Sequence, residues 1–340
     1  MLKPFSHIYI EKQLLGTEAA NTILSHFSNS TIVEINHYKD IFCRSRQDFS
    51  LQKKSPALIL AEKKGELIYE GAGVCQSFGN EHFYYTSCIM NCIYGCEYCY
   101  LSGMYPSGNI VFFLNTEDYF AQIRKILEKN PVYLCISYDT DLLAFNPLTG
   151  ILNKWIAFAD STEGLTLEIR TKCGNLASVR GSLKNCRHPE RIIFAYTLSP
   201  ESIISEYEKG TASLKARLKA VKELQELDIP CRLAFDPMIY VPEWKKIYGE
   251  TADTVFKGAE GCEHPDPGRI FDVSVGSFRI SEAYLKNMRK NAPDSAVVQY
   301  PFVNENGVYH YPTRLMKEME NYMVERCGEY IPRDKIFLWE

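Results

Sequence analysis

From residue 83 to residue 275 the chain repeats one rhythm, a short β-rich run followed in most cases by a helical pattern. The six runs are 83–87, 132–138, 165–169, 191–197, 231–235 and 270–275. Strands that alternate with helices pack as parallel strands joined by right-handed crossovers, because only that hand brings helix and twisted strand back onto one sheet. One predicted helix runs to Lys129 behind Asn115-Thr116-Glu117, with Tyr119, Ile123, Ile126 and Leu127 at helical spacing. Another, highly charged, covers 212–227 and stops at Pro230. The segment is shorter than the roughly 250 residues of a closed eight-fold barrel. The expected α/β fold is therefore a partial (β/α)6 TIM-type barrel.

The flanks read differently. Residues 1–80 carry strand patterns at 7–11, 31–35, 57–61 and 66–69 and a helix at 17–27, with Lys63-Lys64-Gly65 as the turn between the last two strands. This is a small N-terminal α/β layer. Residues 279–340 hold a helix near 281–290, a hairpin pattern over 297–311 around Asn306-Gly307, and a last helix over 313–326. The expected regions are thus 1–80 accessory, 81–278 barrel, and 279–340 a hairpin-helix extension on the substrate side. A net charge of −4 excludes coating a polyanion along the whole chain. Basic runs at 44–54 and 180–191 have the usual meaning of solvated faces. No stretch approaches the roughly 20 apolar residues of a spanning helix, so no membrane and a cytoplasmic location are expected.

Of the twelve cysteines, eight are scattered: Cys43, Cys75, Cys135, Cys173, Cys186, Cys231, Cys262 and Cys327. They read as small buried hydrophobes. The other four crowd into Cys88-Ile-Met-Asn-Cys92-Ile-Tyr-Gly-Cys96-Glu-Tyr98-Cys99-Tyr100, directly after the first barrel strand. Cys92, Cys96 and Cys99 form a C-x3-C-x2-C spacing, and three thiolates on one loop can hold three irons of a cubane while the fourth iron stays open to a cosubstrate. The competing reading is a zinc tetrahedron that adds Cys88. Structural zinc usually draws its thiolates in pairs from two knuckles, whereas these share one loop.

The spacing, its place after a strand and the barrel pattern resemble the radical S-adenosylmethionine (SAM) superfamily. Cys96-Glu-Tyr98-Cys99-Tyr100-Leu101 further resembles the cluster loop of the spore photoproduct lyase family. Residues 5–11 before an amphipathic helix are similar to that family's N-terminus, and Thr171-Lys172 to its cosubstrate-binding lysine. Tyr207-Glu208-Lys209-Gly210-Thr211 looks like its Phe-Glu-Pro-Gly-Thr turn, and Ser137-Tyr138-Asp139-Thr140-Asp141 stands where the family carries Ser-Cys-Thr-Ser-Asp. The likeness runs in order from residue 5 to about 245.

The resemblance implies a 4Fe-4S cluster on Cys92, Cys96 and Cys99 that cleaves SAM to a 5′-deoxyadenosyl radical, which abstracts hydrogen from a thymine photodimer in DNA. It implies SAM contacts from Thr140, Lys172 and Thr197, with Tyr98 at the adenine. Asp236 joins them by its placement at a strand's C-terminal end, against the alternative of a simple strand-ending Asp-Pro turn. An electron donor such as a flavodoxin or ferredoxin and DNA are the implied partners. Two departures stand out. The family's hydrogen-donating cysteine is here Tyr138, and Cys135, three residues earlier, falls on the opposite face of a period-two strand. The family's Arg-Tyr wedge finds no arginine in the stretch from Tyr300 to Tyr311, whose tyrosines read as cross-strand packing. Tyr138 and Tyr100 are the expected hydrogen or electron relays, against the alternative of plain aromatic wall residues. A different substrate within the same family, and a zinc-bound nucleic-acid-binding module, remain the alternatives.

Overall fold

Alternating Ile8 and Ile10 are fully buried on β1 (His7–Glu11), which pairs in parallel with β2 (Thr31–Ile35) and with β3 (Leu58–Ala61). Every residue of β3 is inaccessible to solvent, as befits a central parallel strand covered on both faces. The computed structural model describes residues 5–71 and 75–338. Residues 1–4 and 72–74 of the expected N-terminal layer and 339–340 of the extension lie outside the described residues.

After β3 the turn at Gly65 (φ +87°) does not close a hairpin. It carries the chain to β4 (Ile68–Glu70), which pairs antiparallel with β5 (Phe83–Thr86) in a second sheet. The chain then returns: β6 (Ile89–Met90) joins the first sheet, β7 (Gly95–Cys96) lies in the cysteine loop, and β8 (Ile110–Phe113) pairs in parallel with β3. The first sheet therefore has the order β2-β1-β3-β8-β6, and strands cross residue 80 in both directions.

The rest of the second sheet follows the expected rhythm. β9 (Val132–Cys135), β10 (Leu165–Thr171), β11 (Ile192–Thr197), β13 (Cys231–Met238) and β14 (Asp272–Ser277) extend β5 in parallel and in chain order, with β12 (Glu208–Lys209) set apart as the partner of β7. Helices such as Thr116–Leu127 and Leu214–Glu226 make the crossovers. This is the expected mixed α/β fold, a partial TIM-type barrel. In the extension, β15 (Arg279–Ser281), β16 (Val303–Glu305) and β17 (Val308–His310) form an antiparallel ribbon, the last two joined at Asn306-Gly307. After the helix Thr313–Gly328, β18 (Ile336–Leu338) adds a strand beside β14 that no sequence pattern announced.

Three local expectations change. β9 stops at Cys135, so the alternation of faces does not reach Tyr138; both residues pack in one small cluster around Phe83, Tyr133 and Ile193. β13 runs through Asp236-Pro237 to Met238 with a register shift, so Asp236 is not a strand-ending turn. Of the eight scattered cysteines only Cys135, Cys231 and Cys327 are buried; Cys43 is exposed and the others are intermediate.

Candidate active site

The cysteine loop is held from three sides. Asn91, buried and at φ +67°, donates to the carbonyls of Ser107 (2.7 Å) and Asn109 (2.6 Å) and fixes the entry. Lys53 donates to the Cys92 carbonyl. Cys96 and Gly95 then pair antiparallel with Glu208 and Lys209, which makes the 207–211 turn the loop's backbone partner. Beyond Cys99 the loop enters the short helix Leu101–Met104, packed so closely on the helix Glu282–Asn291 that a Cβ at Gly103 would stand 2.4 Å from the Tyr284 carbonyl.

Under the loop sits Glu208. Its buried carboxylate accepts from Tyr98 Oη, from Ser199 Oγ (2.6 Å) and from the buried Arg217 guanidinium, which also donates to the Thr197 carbonyl (2.9 Å). Burial alone would raise the Glu208 pKa; the Lys172 and Arg217 charges outweigh it and hold the group below its ordinary value.

Across from the loop the strand ends form a shelf. Asp141 caps the helix Leu142–Thr149 at the Ala144 amide (3.0 Å) and accepts from Thr171 Oγ1 (2.9 Å) and the Lys172 amide (2.8 Å), locking the segment that follows β9 to the end of β10. Asp139 gathers the hydroxyls of Ser87, Tyr105 (2.6 Å) and Tyr100 (3.1 Å). Lys172 places Nζ 5.6 Å from the Tyr98 ring centroid. Desolvation pulls its pKa down, but the Cys96 and Glu208 charges prevail and keep it above the ordinary value. Asp236 takes Arg279 in a two-pronged pair (2.9 and 3.1 Å), and Gly276 leaves the room: a Cβ there would stand 2.7 Å from Arg279 Nη1.

Loop and shelf enclose one cavity of about 500 Å³, of cofactor-binding size. Its wall includes Cys92, Cys96, Cys99, Tyr98, Tyr100, Tyr138, Thr140, Lys172, Thr197 and Asp236, so the structure brings all the sequence-selected residues to one place. Thr140 is 8% exposed, and its hydroxyl has no partner among the described residues. Cys88 stands elsewhere: 1% exposed, its thiol lies 4.0 Å from the Ile136 carbonyl, and burial pushes its pKa up to about 12.

Sequence reasoning missed several wall residues. Arg170, Arg279, Tyr85, Tyr284 and Cys75 also line the cavity. Arg170 had a signal, its place next to Thr171-Lys172 at a strand end. The others come from segments with no motif. Tyr85, Tyr100 and Tyr284 form an aromatic wall with Tyr138, at centroid distances of 5.0 Å for Tyr85–Tyr138 and 6.3 Å for both Tyr100–Tyr138 and Tyr100–Tyr284.

The family model described as "Spore photoproduct lyase" matches residues 82–265. A spore photoproduct lyase of Geobacillus sp. (strain Y412MC61) is 24% identical over 256 residues, 72% of this chain and 73% of that protein. The spore photoproduct lyase of Bacillus subtilis (strain 168) is 25% identical over 207 residues, 59% of this chain and 58% of that protein. Among solved structures, a spore photoproduct lyase double mutant with bound AdoMet and dinucleoside spore photoproduct superposes with a TM-score of 0.79 at 20% identity, covering 99% of both chains.

Proposed function

The chain belongs to the spore photoproduct lyase family, and on that premise we propose that it is a radical SAM enzyme acting on a thymine photodimer in DNA. The observation that carries this reading is the pairing, across one cavity, of three loop thiols with the Lys172–Thr140–Thr197 shelf. Among the described residues no three Cys, His, Asp or Glu side chains are gathered as around a single metal ion. Three thiols from one loop on one cavity wall suit the three protein-held iron corners of a cubane. The four-thiolate zinc alternative needs Cys88, whose thiol does not line the cavity.

In this reading Cys92, Cys96 and Cys99 hold a 4Fe-4S cluster whose chemistry is the reductive cleavage of SAM to a 5′-deoxyadenosyl radical. Lys172 binds the methionine carboxylate as a compact cation. The unpartnered Thr140 hydroxyl and Thr197 take the remaining polar groups, and the Tyr98 ring, held by Glu208, meets the adenine. Asp236, oriented by Arg279, faces the same space. The aromatic wall of Tyr138 and Tyr100 excludes water from the reacting atoms. A flavodoxin- or ferredoxin-type donor supplies the electron, and a reducing cytoplasm suits twelve free cysteines.

A second reading, another substrate within the family, is favoured by the extension. Tyr311 turns inward, 1% exposed, and the half-buried Tyr300 packs edge-on against it at 4.9 Å, as in a packed ribbon rather than a projecting wedge. The test is anaerobic reconstitution with iron, then SAM and dithionite. Release of 5′-deoxyadenosine establishes the radical chemistry, and its absence from an iron-loaded protein overturns it. Adding dinucleoside spore photoproduct or a spore-photoproduct oligonucleotide then separates the two substrate readings.

A further inference from the structure

Cys75 is read from the sequence as one more scattered cysteine, yet its thiol is hydrogen-bonded to the Tyr138 phenol on the cavity wall. Outside the cysteine loop it is the only cysteine among the described residues that lines this cavity. Cys135, the nearest thiol to Tyr138 in sequence, is fully buried and absent from the wall. The segment that delivers Cys75 is anchored: Gln76 donates to the Leu338 carbonyl (2.5 Å), and Phe78 covers the Arg232 guanidinium at 3.2 Å. The thiol and phenol also border a smaller cavity of about 90 Å³ deeper in the barrel, between Arg170 and Arg279. That the larger cavity takes a ligand is marked independently by the Thr140 hydroxyl, buried on its wall with no partner among the described residues.

A thiol gives hydrogen to a carbon radical readily, because its S–H bond is weaker than the C–H bond formed. A phenol has an O–H bond of similar strength but transfers it to carbon more slowly. A thiol and a phenol hydrogen-bonded to each other on one cavity wall therefore make a donor with a reserve. Burial holds the Tyr138 phenol well above its usual range, against the pull of Arg170, so it keeps its hydrogen at neutral pH.

Resting on the radical reading above, we infer that Cys75 is the hydrogen-atom donor to the substrate radical and that Tyr138 reloads it. The donor is transposed: its thiol comes from the segment ahead of β5 rather than from the end of β9. In the first step the substrate carbon radical takes a hydrogen atom from Cys75; a C–H bond forms, the S–H bond breaks, and a thiyl radical remains. The thiyl then takes the hydrogen of Tyr138, re-forming S–H and leaving a phenoxyl radical. One electron from the one-electron reductant that drives the enzyme and one proton from solvent restore the phenol. The sum is one electron and one proton added to the substrate radical.

The test uses reconstituted full-length protein in D2O with SAM, dithionite and dinucleoside spore photoproduct as the probe. 5′-Deoxyadenosine reports radical generation, and solvent-derived deuterium in the thymine product reports donation. Wild type and a Cys262→Ser control should form both. Cys75→Ala should release 5′-deoxyadenosine within about twofold of wild type while deuterated product falls at least about tenfold. Tyr138→Phe should keep the first turnover and lose later ones. Wild-type yields of deuterated product from Cys75→Ala overturn the assignment, as does wild-type protein that releases 5′-deoxyadenosine but no repaired product. No 5′-deoxyadenosine from any variant is a different pattern, which removes the radical reading and this assignment with it. A readout independent of iron is alkylation of Cys75 by iodoacetamide in metal-free protein, followed by peptide mapping. Tyr138→Phe should change that rate several-fold, and an unchanged rate overturns the pairing.

Discussion

Lys172 and Cys88 show how much one side chain's position decides. Lys172 is a cation at the end of β10, held charged by Cys96 and Glu208. A charge-assisted hydrogen bond is worth about 1.5–3 kcal/mol, so Lys172→Ala should weaken SAM binding by roughly 10- to 150-fold. Equilibrium dialysis checks this, and unchanged affinity would show that the carboxylate is held elsewhere. Cys88 differs from its three neighbours only by pointing into the core. Alanine at Cys92, Cys96 or Cys99 should abolish iron binding, whereas Cys88→Ala should keep about four irons per chain; iron assay after reconstitution decides. Spacing made the three loop cysteines legible because neighbours on one loop must be neighbours in space. The same logic could not find Cys75, which meets Tyr138 only because the chain crosses between two sheets in the intervening residues.

At the scale of elements, the turn 207–211 had been matched by residue type, but its work was hidden. Pairing of β12 with β7 makes that turn the splint of the cysteine loop, and the Glu208–Arg217 pair ties the splint to the helix Leu214–Glu226. Two-residue strands carry no periodicity, so no pattern predicts such a bridge. Both charges are fully buried, and removing one partner of such a pair leaves the other uncompensated, at a cost of about 3–5 kcal/mol. Arg217→Met should therefore lower the thermal midpoint in calorimetry and release loop iron to a chelator faster than wild type. Loss of stability with iron release unchanged would mean that the splint does not brace the loop.

Across the whole molecule, the six parallel strands were legible because each is rich in β-branched or aromatic residues and most are followed by a helical period. What stayed hidden is what rivets them. Arg232 on β13 bonds Glu168 on β10 (2.7 Å), Tyr133 on β9 (2.7 Å) and both carboxylate oxygens of Asp272 on β14, with Arg170 also paired to Glu168. The two carboxylates respond to acid in opposite directions. Burial would raise Glu168, but Arg170 and Arg232 win and its pKa lies below the ordinary 4.5. Its stabilising contribution is thus complete above 4.5 and is lost as pH falls through the lowered native value. For Asp272 burial wins over Arg232, and its pKa lies above the ordinary 3.8. Its contribution is complete below 3.8 and is lost as pH rises through the raised native value, so acid there restores stability. In wild type the two offset each other. Glu168→Gln should lower the unfolding midpoint near neutral pH but flatten its decline in acid. Asp272→Asn should steepen that decline, because only the Glu168 loss remains. Thermal unfolding followed by circular dichroism from pH 7 to pH 3 measures both slopes, and slopes that shift in the same direction would show that the two carboxylates do not divide the charge of Arg232 in this way.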